Sequence, residues 1–250
     1  LYNLAWEKSL PMVARRADCY GLSERLLYDG SVLRCLKDEE ICGLMAELRA
    51  GEYDAIAVCL LFSFLNPSHE IELKRKFEEE MPELPCSISS EVAPIWREYD
   101  RASSTIADAF VKPVVSNYVR QLKSGLSEID VPASLMVMKS NGGMMSSTTC
   151  EATPIQSMMS GPAGGMIACQ AIADALDIHK VLTMDMGGTS CDVGIIVDGE
   201  QKLTTQYEIE FGLTVSIPMI DIRTIGAGGG SIAWIDNGGF LQVGPHSAGA

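Results

Sequence analysis

The segment Met184-Asp185-Met186-Gly187-Gly188-Thr189-Ser190-Cys191-Asp192-Val193-Gly194 places an acid, two glycines and two hydroxyls between apolar runs. Val181 and Leu182 precede it and residues 193–197 follow, so the pattern predicts strand, tight turn, strand, with Asp198-Gly199 closing a second turn. Glycine lets a backbone approach a polyanion, and successive N–H groups in a turn can cradle phosphate oxygens. Asp185 at the strand end is placed to hold a hydrated magnesium ion or to orient a water. An ordinary hairpin turn satisfies the same pattern, so the segment alone leaves both readings open. A P-loop is excluded, because no G-x-x-x-x-G-K-[ST] occurs in the chain.

Working outward, Gly226-Ala227-Gly228-Gly229-Gly230-Ser231 has no glycine at 231, which defeats a dinucleotide-binding G-x-G-x-x-G. Gly226, Gly228, Gly229, Gly230 and Ser231 suit a nest of backbone N–H groups, close packing against a ligand, or a plain structural loop. Asp221 and Arg223 just precede them, and Arg223 would suit an anionic group. Ser160-Gly161-Pro162-Ala163-Gly164-Gly165 opens a helix whose N-terminus attracts anions, or forms a tight turn between domains. His69 reads as a surface residue in a helix first turn. His179 and His246 have no carboxylate or cysteine partner at metal-ligand spacing. No G-x-S-x-G elbow occurs, and Cys191 has no nearby histidine, so nucleophilic catalysis finds no support.

Before the hairpin, the pattern alternates strand and helix. Residues 39–50 carry Ile41, Leu44, Met45 and Leu48 at helical spacing, and Gly51 stops them. Residues 54–64 form a continuous apolar run that predicts a strand buried on both faces of a parallel sheet, ended by Asn66-Pro67. A helix from Ser68 to Met81 buries Ile71, Leu73 and Phe77, and residues 86–92 read as another strand. From Ser103 the pattern turns helical, with Pro113 forcing a kink or restart and Val114, Val115, Tyr118 and Leu122 forming an apolar stripe. A strand at 134–138 leads to Asn141-Gly142-Gly143. The breaks at Thr153-Pro154 and Gly161-Pro162 place a boundary near 150–160, and an Ala-rich helix over 164–176 leads into the hairpin.

The 250 residues allow one large domain or two small ones, with 47% hydrophobic and 21% charged residues as in an ordinary α/β protein. Nineteen basic against 33 acidic residues give a net charge of −14, a field that disfavours nucleic acid and anionic membranes as partners. No apolar run reaches the ~18 residues of a membrane span. The eight cysteines, at 19, 35, 42, 59, 86, 150, 169 and 191, include no C-x-x-C pair. They read as reduced, mostly buried thiols of a cytoplasmic protein.

Taken in order, further motifs carry a family resemblance. They are Pro11-Met12-Val13-Ala14-Arg15-Arg16, Gly21-Leu22-Ser23-Glu24-Arg25, Ser63-Phe64-Leu65-Asn66-Pro67-Ser68-His69-Glu70, Ser90-Glu91-Val92-Ala93-Pro94 and Arg97-Glu98-Tyr99. The glycine motifs at 141–143, 160–165, 187–188 and 226–230 complete a set covering nearly the whole chain, and the set resembles the hydantoinase A/oxoprolinase family. The resemblance implies an α/β, actin/hexokinase-like (ribonuclease H-like) ATPase fold, in which two α/β domains close over ATP. In that family a second D-x-G-G-T hairpin stands at the N-terminus and an adenosine-binding region lies far downstream. Neither falls within residues 1–250, so the chain reads as an internal fragment with both domains incomplete. Residues 1–152 would be the remainder of the first domain and residues 153–250 the start of the second.

The resemblance further implies that the hairpin faces the γ-phosphate. Asp185 and Thr189 would then be catalytic, with Asp185 on magnesium, directly or through water. Gly187, Gly188 and Ser190, with Gly226, Gly228, Gly229, Gly230 and Ser231, would contact the nucleotide, and Asn141, Asp221 and Arg223 would border the substrate. Relatives carry histidine at the Arg223 position, so a metal role assumed there does not transfer. The implied activity is ATP-dependent ring opening of a cyclic amide, such as a hydantoin or 5-oxoproline, through phosphorylation of the amide oxygen. Two alternatives share these motifs: the ATP-using subunit of an acetone/acetophenone-type carboxylase, and a non-catalytic nucleotide-binding subunit. The implied partner is a hydantoinase B-like subunit or domain in a hetero- or homo-oligomer.

Overall fold

The computed structural model describes residues 14–131, 133–210 and 213–249. The start of the motif at 11–16 and Ala250 lie outside the described residues. The architecture is mixed α/β and divides into two compact units. One holds the described residues up to Leu135 with Ser146–Gln156 and Gln206–Ile217. The other holds Met136–Met145, Ser157–Thr205 and the described residues from Pro218 onward.

The first unit is built on a parallel strand pair, β1 (Ile56–Val58) and β2 (Cys86–Ile88), in the register Ile56↔Cys86 to Val58↔Ile88. Parallel neighbours need a crossover, and helix α2 (Ser68–Glu80) supplies it. Leu73 and Phe77 of α2 and Ile41, Met45 and Leu48 of α1 (Asp38–Ala50) join the strands in one core. Gly51 ends α1, its N–H reaching back to the Glu47 and Leu48 carbonyls. In α2, Ile71 is exposed, while His69 is buried with its Nδ1 2.6 Å from Glu24 Oε2. The surface role expected of His69 is therefore replaced by a buried tie between the Glu24 segment and the helix start.

The apolar run at 54–64 is a strand only as far as Val58. Beyond it the chain turns, and Phe62 takes a left-handed conformation (φ 60°). The physical reason lies in the partners of Leu60. Its N–H donates to Glu70 Oε1 (2.8 Å) and its carbonyl accepts from Arg101 Nη2 (2.8 Å), so side chains replace a strand ladder. Glu70 is fully buried and also accepts from Ser89 Oγ (2.6 Å) and Ser90 N–H (2.8 Å). Arg101 is fully buried as well, donates to the Ile95 carbonyl (2.7 Å) and lies over the Phe64 ring.

Helix α3 runs from Glu98 to Glu128 as one helix through Pro113. Its apolar stripe faces outward: Val114 is 73% and Tyr118 64% exposed. Polar groups hold the buried side instead. Asp108 accepts from Ser87 Oγ (2.7 Å) and the Ile155 N–H (3.0 Å), and Lys112 donates to the Cys86 carbonyl (3.1 Å). A buried carboxylate stripped of its partners costs more than an exposed ring gains, so this network sets the rotation of the helix.

In the second unit, helix α4 (Ser160–Ala175) packs on an antiparallel sheet of β3 (Lys180–Met186), β4 (Cys191–Val197) and β5 (Arg223–Ile225), in the order β5-β4-β3. Ala163 and Met166 of α4 form its core with Ile196, Ile220 and Ile222. The second turn expected at Asp198-Gly199 is present with both residues left-handed (φ 51° and 77°), leading into the short strand Glu200–Gln201 beside β4. A further hairpin joins β6 (Ser231–Ile235) to β7 (Leu241–Ser247). Its turn is held by Asp236, whose carboxyl the Phe240 N–H and Gln242 amide keep below the usual carboxylate range.

All eight cysteines are free. Cys86, Cys150 and Cys191 are buried, and burial pushes the Cys86 thiol up to about 12. Cys19, Cys35 and Cys42 are exposed. Among the described residues no helix is long and apolar enough to cross a membrane.

The inverted α3 gives a direct stability test. Asp108→Ala should lower the unfolding free energy by about 3–5 kcal/mol by leaving Lys112 buried without its carboxylate. Tyr118→Ser should cost less than ~0.5 kcal/mol, as surface changes do. Urea denaturation followed by circular dichroism measures both, and the reverse ranking would show that the stripe is buried.

Candidate active site

The hairpin forms as its sequence predicts, with seven cross-strand pairs from Lys180↔Val197 to Met186↔Cys191. The Gly187 N–H donates to the Ser190 carbonyl (2.9 Å) and closes the turn. Directly opposite residues share a face, so Val181, Thr183 and Asp185 lie with Ile196, Gly194 and Asp192. This is the side on which α4 packs: Thr183 Oγ1 lies 2.8 Å from Met166 Sδ. Gly194 admits Met166, because a Cβ there would stand 2.7 Å from Met166 Cε and 3.0 Å from Thr183 Oγ1. Beside this contact is a cleft of about 250 Å³ bordered by Pro162, Cys169, Asp185 and Asp192.

Asp185 and Asp192 are cross-strand partners, and like charges so placed repel by up to ~1 kcal/mol. Thr224 Oγ1 donates to Asp192 Oδ1 (2.6 Å) and orients that carboxylate. The carboxylate of Asp185 is exposed and, among the described residues, accepts no hydrogen bond and joins no ion pair. The N–H groups of Gly188, Thr189 and Ser190 likewise have no acceptor among the described residues. The turn therefore presents three backbone donors and one unpaired carboxylate.

The 226–231 loop is brought onto this turn. Gly229 N–H donates to the Gly187 carbonyl (2.9 Å) and Gly230 N–H to the Gly188 carbonyl (2.7 Å). Gly228 N–H goes to Ser231 Oγ (2.8 Å), and Ser231 N–H returns to the Gly228 carbonyl (3.0 Å). These amides are thus directed inward, to the protein's own backbone and the Ser231 hydroxyl. Gly226 has open space around its α-carbon.

The remaining expected site residues stand elsewhere. Arg223 pairs in register with Val193, which puts it on the sheet face opposite Asp185. Its guanidinium lies 3.1 Å from Asp221 Oδ1, and Lys202 Nζ lies 3.2 Å from Asp221 Oδ2, so Asp221 is doubly paired. Asn141 Oδ1 accepts from the Gly143 N–H (3.0 Å) and locks its own turn, where Gly142 is left-handed (φ 82°). Among the described residues no hydrogen bond joins Asn141 to the hairpin. Thr224, Gly194 and Met166 are the residues that sequence reasoning passed over. The period-two alternation of 191–197 is the signal that places Gly194 and Asp192 on the helix-facing side.

Comparison with known proteins identifies the family. The hydantoinase/oxoprolinase family model matches residues 101–250, and the model of that family's N-terminal region matches residues 1–81. The chain belongs to the hydantoinase/oxoprolinase family. The caprolactamase α subunit of Pseudomonas jessenii is 33% identical over 226 residues, covering 90% of this chain and 32% of that protein. The 5-oxoprolinase of Saccharomyces cerevisiae is 33% identical, over 88% of this chain and 17% of its own length. The acetophenone carboxylase γ subunit of Aromatoleum aromaticum is 30% identical, over 97% and 34%. The crystal structure of the ATP-dependent caprolactamase superposes with a TM-score of 0.83 at 31% identity, covering all of this chain and 36% of that one. The chain therefore spans about a third or less of these relatives, and the fold is that of the family's ATPases.

The seat of the hairpin can be tested at two glycines. Gly194→Ala should destabilise by about 1–3 kcal/mol, because its Cβ enters the space of Met166. Gly165→Ala, on a helix with nothing within 4 Å of the added carbon, should be neutral or stabilising by up to ~1 kcal/mol. Thermal unfolding of both variants is the measurement; equal effects would remove the argument for a close helix–strand contact.

Proposed function

We propose that the 187–190 turn is the γ-phosphate hairpin of an ATP-dependent enzyme acting on a cyclic amide. The observation that supports this reading is that, among the described residues, the Asp185 carboxylate and the N–H groups of Gly188, Thr189 and Ser190 have no partner. Amides in a turn bind phosphate oxygens, and their fixed orientation needs no rearrangement when charge builds up. The donor set also fits magnesium. Mg²⁺ keeps several waters and takes one or two carboxylates plus phosphates, so Asp185, with Asp192 behind it, suffices. The cation would relieve the repulsion between these cross-strand acids.

MgATP would supply the phosphoryl group that activates the oxygen of an unstrained amide as ADP leaves. Water would then add to the carbonyl carbon, and the C–N bond would break with the ring nitrogen leaving as the amine. Hydrolysis would release phosphate from the resulting acyl phosphate. In this reading Asp185 holds the metal and Gly187, Gly188, Thr189 and Ser190 surround the phosphate. The chemistry asked of the chain is placement of charge, as in phosphoryl transfer generally. Substrates of the lactam, 5-oxoproline or hydantoin type follow from similarity to the caprolactamase and 5-oxoprolinase. Similarity to the acetophenone carboxylase subunit supports a second reading, in which ATP activates a ketone enol or bicarbonate. Subunit names among the relatives support work in a complex, and the family resemblance points to a hydantoinase B-like partner.

In the full-length protein, Asp185→Asn should cut ATP turnover by about a hundredfold or more while leaving the fold intact. A loss under about threefold, ~0.7 kcal/mol of barrier, would overturn the assignment. ADP release measured with 5-oxoproline, a hydantoin, caprolactam, or ketone plus bicarbonate distinguishes the two substrate classes. Stimulation by the ketone pair alone would favour the carboxylase reading.

A further inference from the structure

We infer that the 226–231 loop is a positioning clamp for the catalytic turn and makes no contact with nucleotide or substrate. The inference rests on the phosphate-hairpin reading above. Three layers of backbone meet at this point. In the turn, the carbonyls of Gly187 and Gly188 accept from Gly229 and Gly230 N–H, at 2.9 and 2.7 Å. On the other side of the loop, the Gly230 carbonyl accepts from Ala248 N–H (2.7 Å) and Ser247 Oγ (3.2 Å), at the end of β7. The loop is a spacer between the turn and β7, and the amides of Gly229 and Gly230 are consumed in holding it to the turn.

The spacing of the glycines follows this geometry. A Cβ on Gly228 would stand 2.6 Å from the Gly187 carbonyl oxygen and 2.7 Å from Ser190 N, both rigid backbone atoms. A Cβ on Gly230 would meet the Gly249 carbonyl and come within 2.9 Å of the Gly188 carbonyl oxygen. Gly229, in contrast, has its nearest neighbour at 3.8 Å, an ordinary contact, and Gly226 has none within 4 Å. A nest facing a ligand would need the exposed glycines to stay bare. A clamp needs Gly228 and Gly230 bare and tolerates a methyl group at 226 and 229. Ser231 completes it by capping Gly228 N–H, which fixes the curvature of the loop.

The experiment uses the full-length protein with Gly226→Ala, Gly228→Ala, Gly229→Ala, Gly230→Ala and Ser231→Ala, read by hydrogen exchange and by steady-state ATP turnover. The wild type should protect the Gly187, Gly229 and Gly230 amides, and Gly228→Ala, Gly230→Ala and Ser231→Ala should lose that protection while the β3–β4 ladder keeps its own. In the same variants kcat should fall about tenfold or more with KM for ATP nearly unchanged, since misplacement of reacting groups by about 1 Å has effects of that size or larger. Gly226→Ala and Gly229→Ala should keep both properties. Ser231→Ala adds no atom to the crowded layer, so it reads the clamp even if the glycine variants do not fold. Equal losses at 226 and 229, or a raised KM as the main effect, would overturn the clamp in favour of ligand contact. Retained protection in Gly228→Ala or Ser231→Ala would also overturn it. Absence of ATP turnover in the wild type would refute the phosphate-hairpin reading alone, because the exchange measurement decides the clamp without nucleotide.

Discussion

Close approach of backbone to backbone around residues 187–190 is the constraint on which the second unit depends. A four-residue turn carrying two glycines has little internal rigidity, and one hydrogen bond from Gly187 to Ser190 cannot hold it alone. The order comes from neighbours. Helix α4 presses on one side through Met166, a contact that Gly194 makes possible, and the 226–231 loop closes on the other through two amide–carbonyl bonds. The loop's contacts are made by backbone atoms that have no rotamers, so fixing them costs no side-chain entropy.

The first unit solves a different problem with charge. Its parallel strands are only three residues long, too short to define a sheet edge by ladder bonds. Glu70 and Arg101, both fully buried, grip the Leu60 peptide from its N–H and carbonyl sides and fold the chain away from the strand direction. Asp108 and Lys112 do the equivalent for α3. Buried charges of this kind contribute little net stability compared with apolar replacements. What they determine here is the geometry, by bringing Glu70, Arg101, Asp108 and Lys112 to their partners along one loop path and in one helix rotation.

Much of this was legible in the residues. The hairpin at 181–197, the turn at Asp198-Gly199, the helix ended by Gly51 and the parallel pairing of strands around an intervening helix all follow from local patterns. The failures share a cause. The run at 54–64 and the stripe at Val114 and Tyr118 were read by hydrophobicity, whereas long-range partners at 70, 87, 101 and 155 decide both. Three of those four pairings span more than 20 residues. The candidate site divides in the same way. Asp185 and the turn glycines are local and came together. Arg223 and Asn141 were associated with them by motif order, and strand register and an Asn-centred turn place them elsewhere.

The unequal crowding of the glycines at 226, 228, 229 and 230 also has a genetic meaning. Every amino-acid change reachable from a glycine codon introduces a Cβ, so missense mutation samples steric bulk at all four positions at the same rate. Only at 228 and 230 does that carbon come within 3 Å of backbone oxygen. Two codons in an otherwise repetitive tract should therefore carry nearly all of its mutational load, while their neighbours drift.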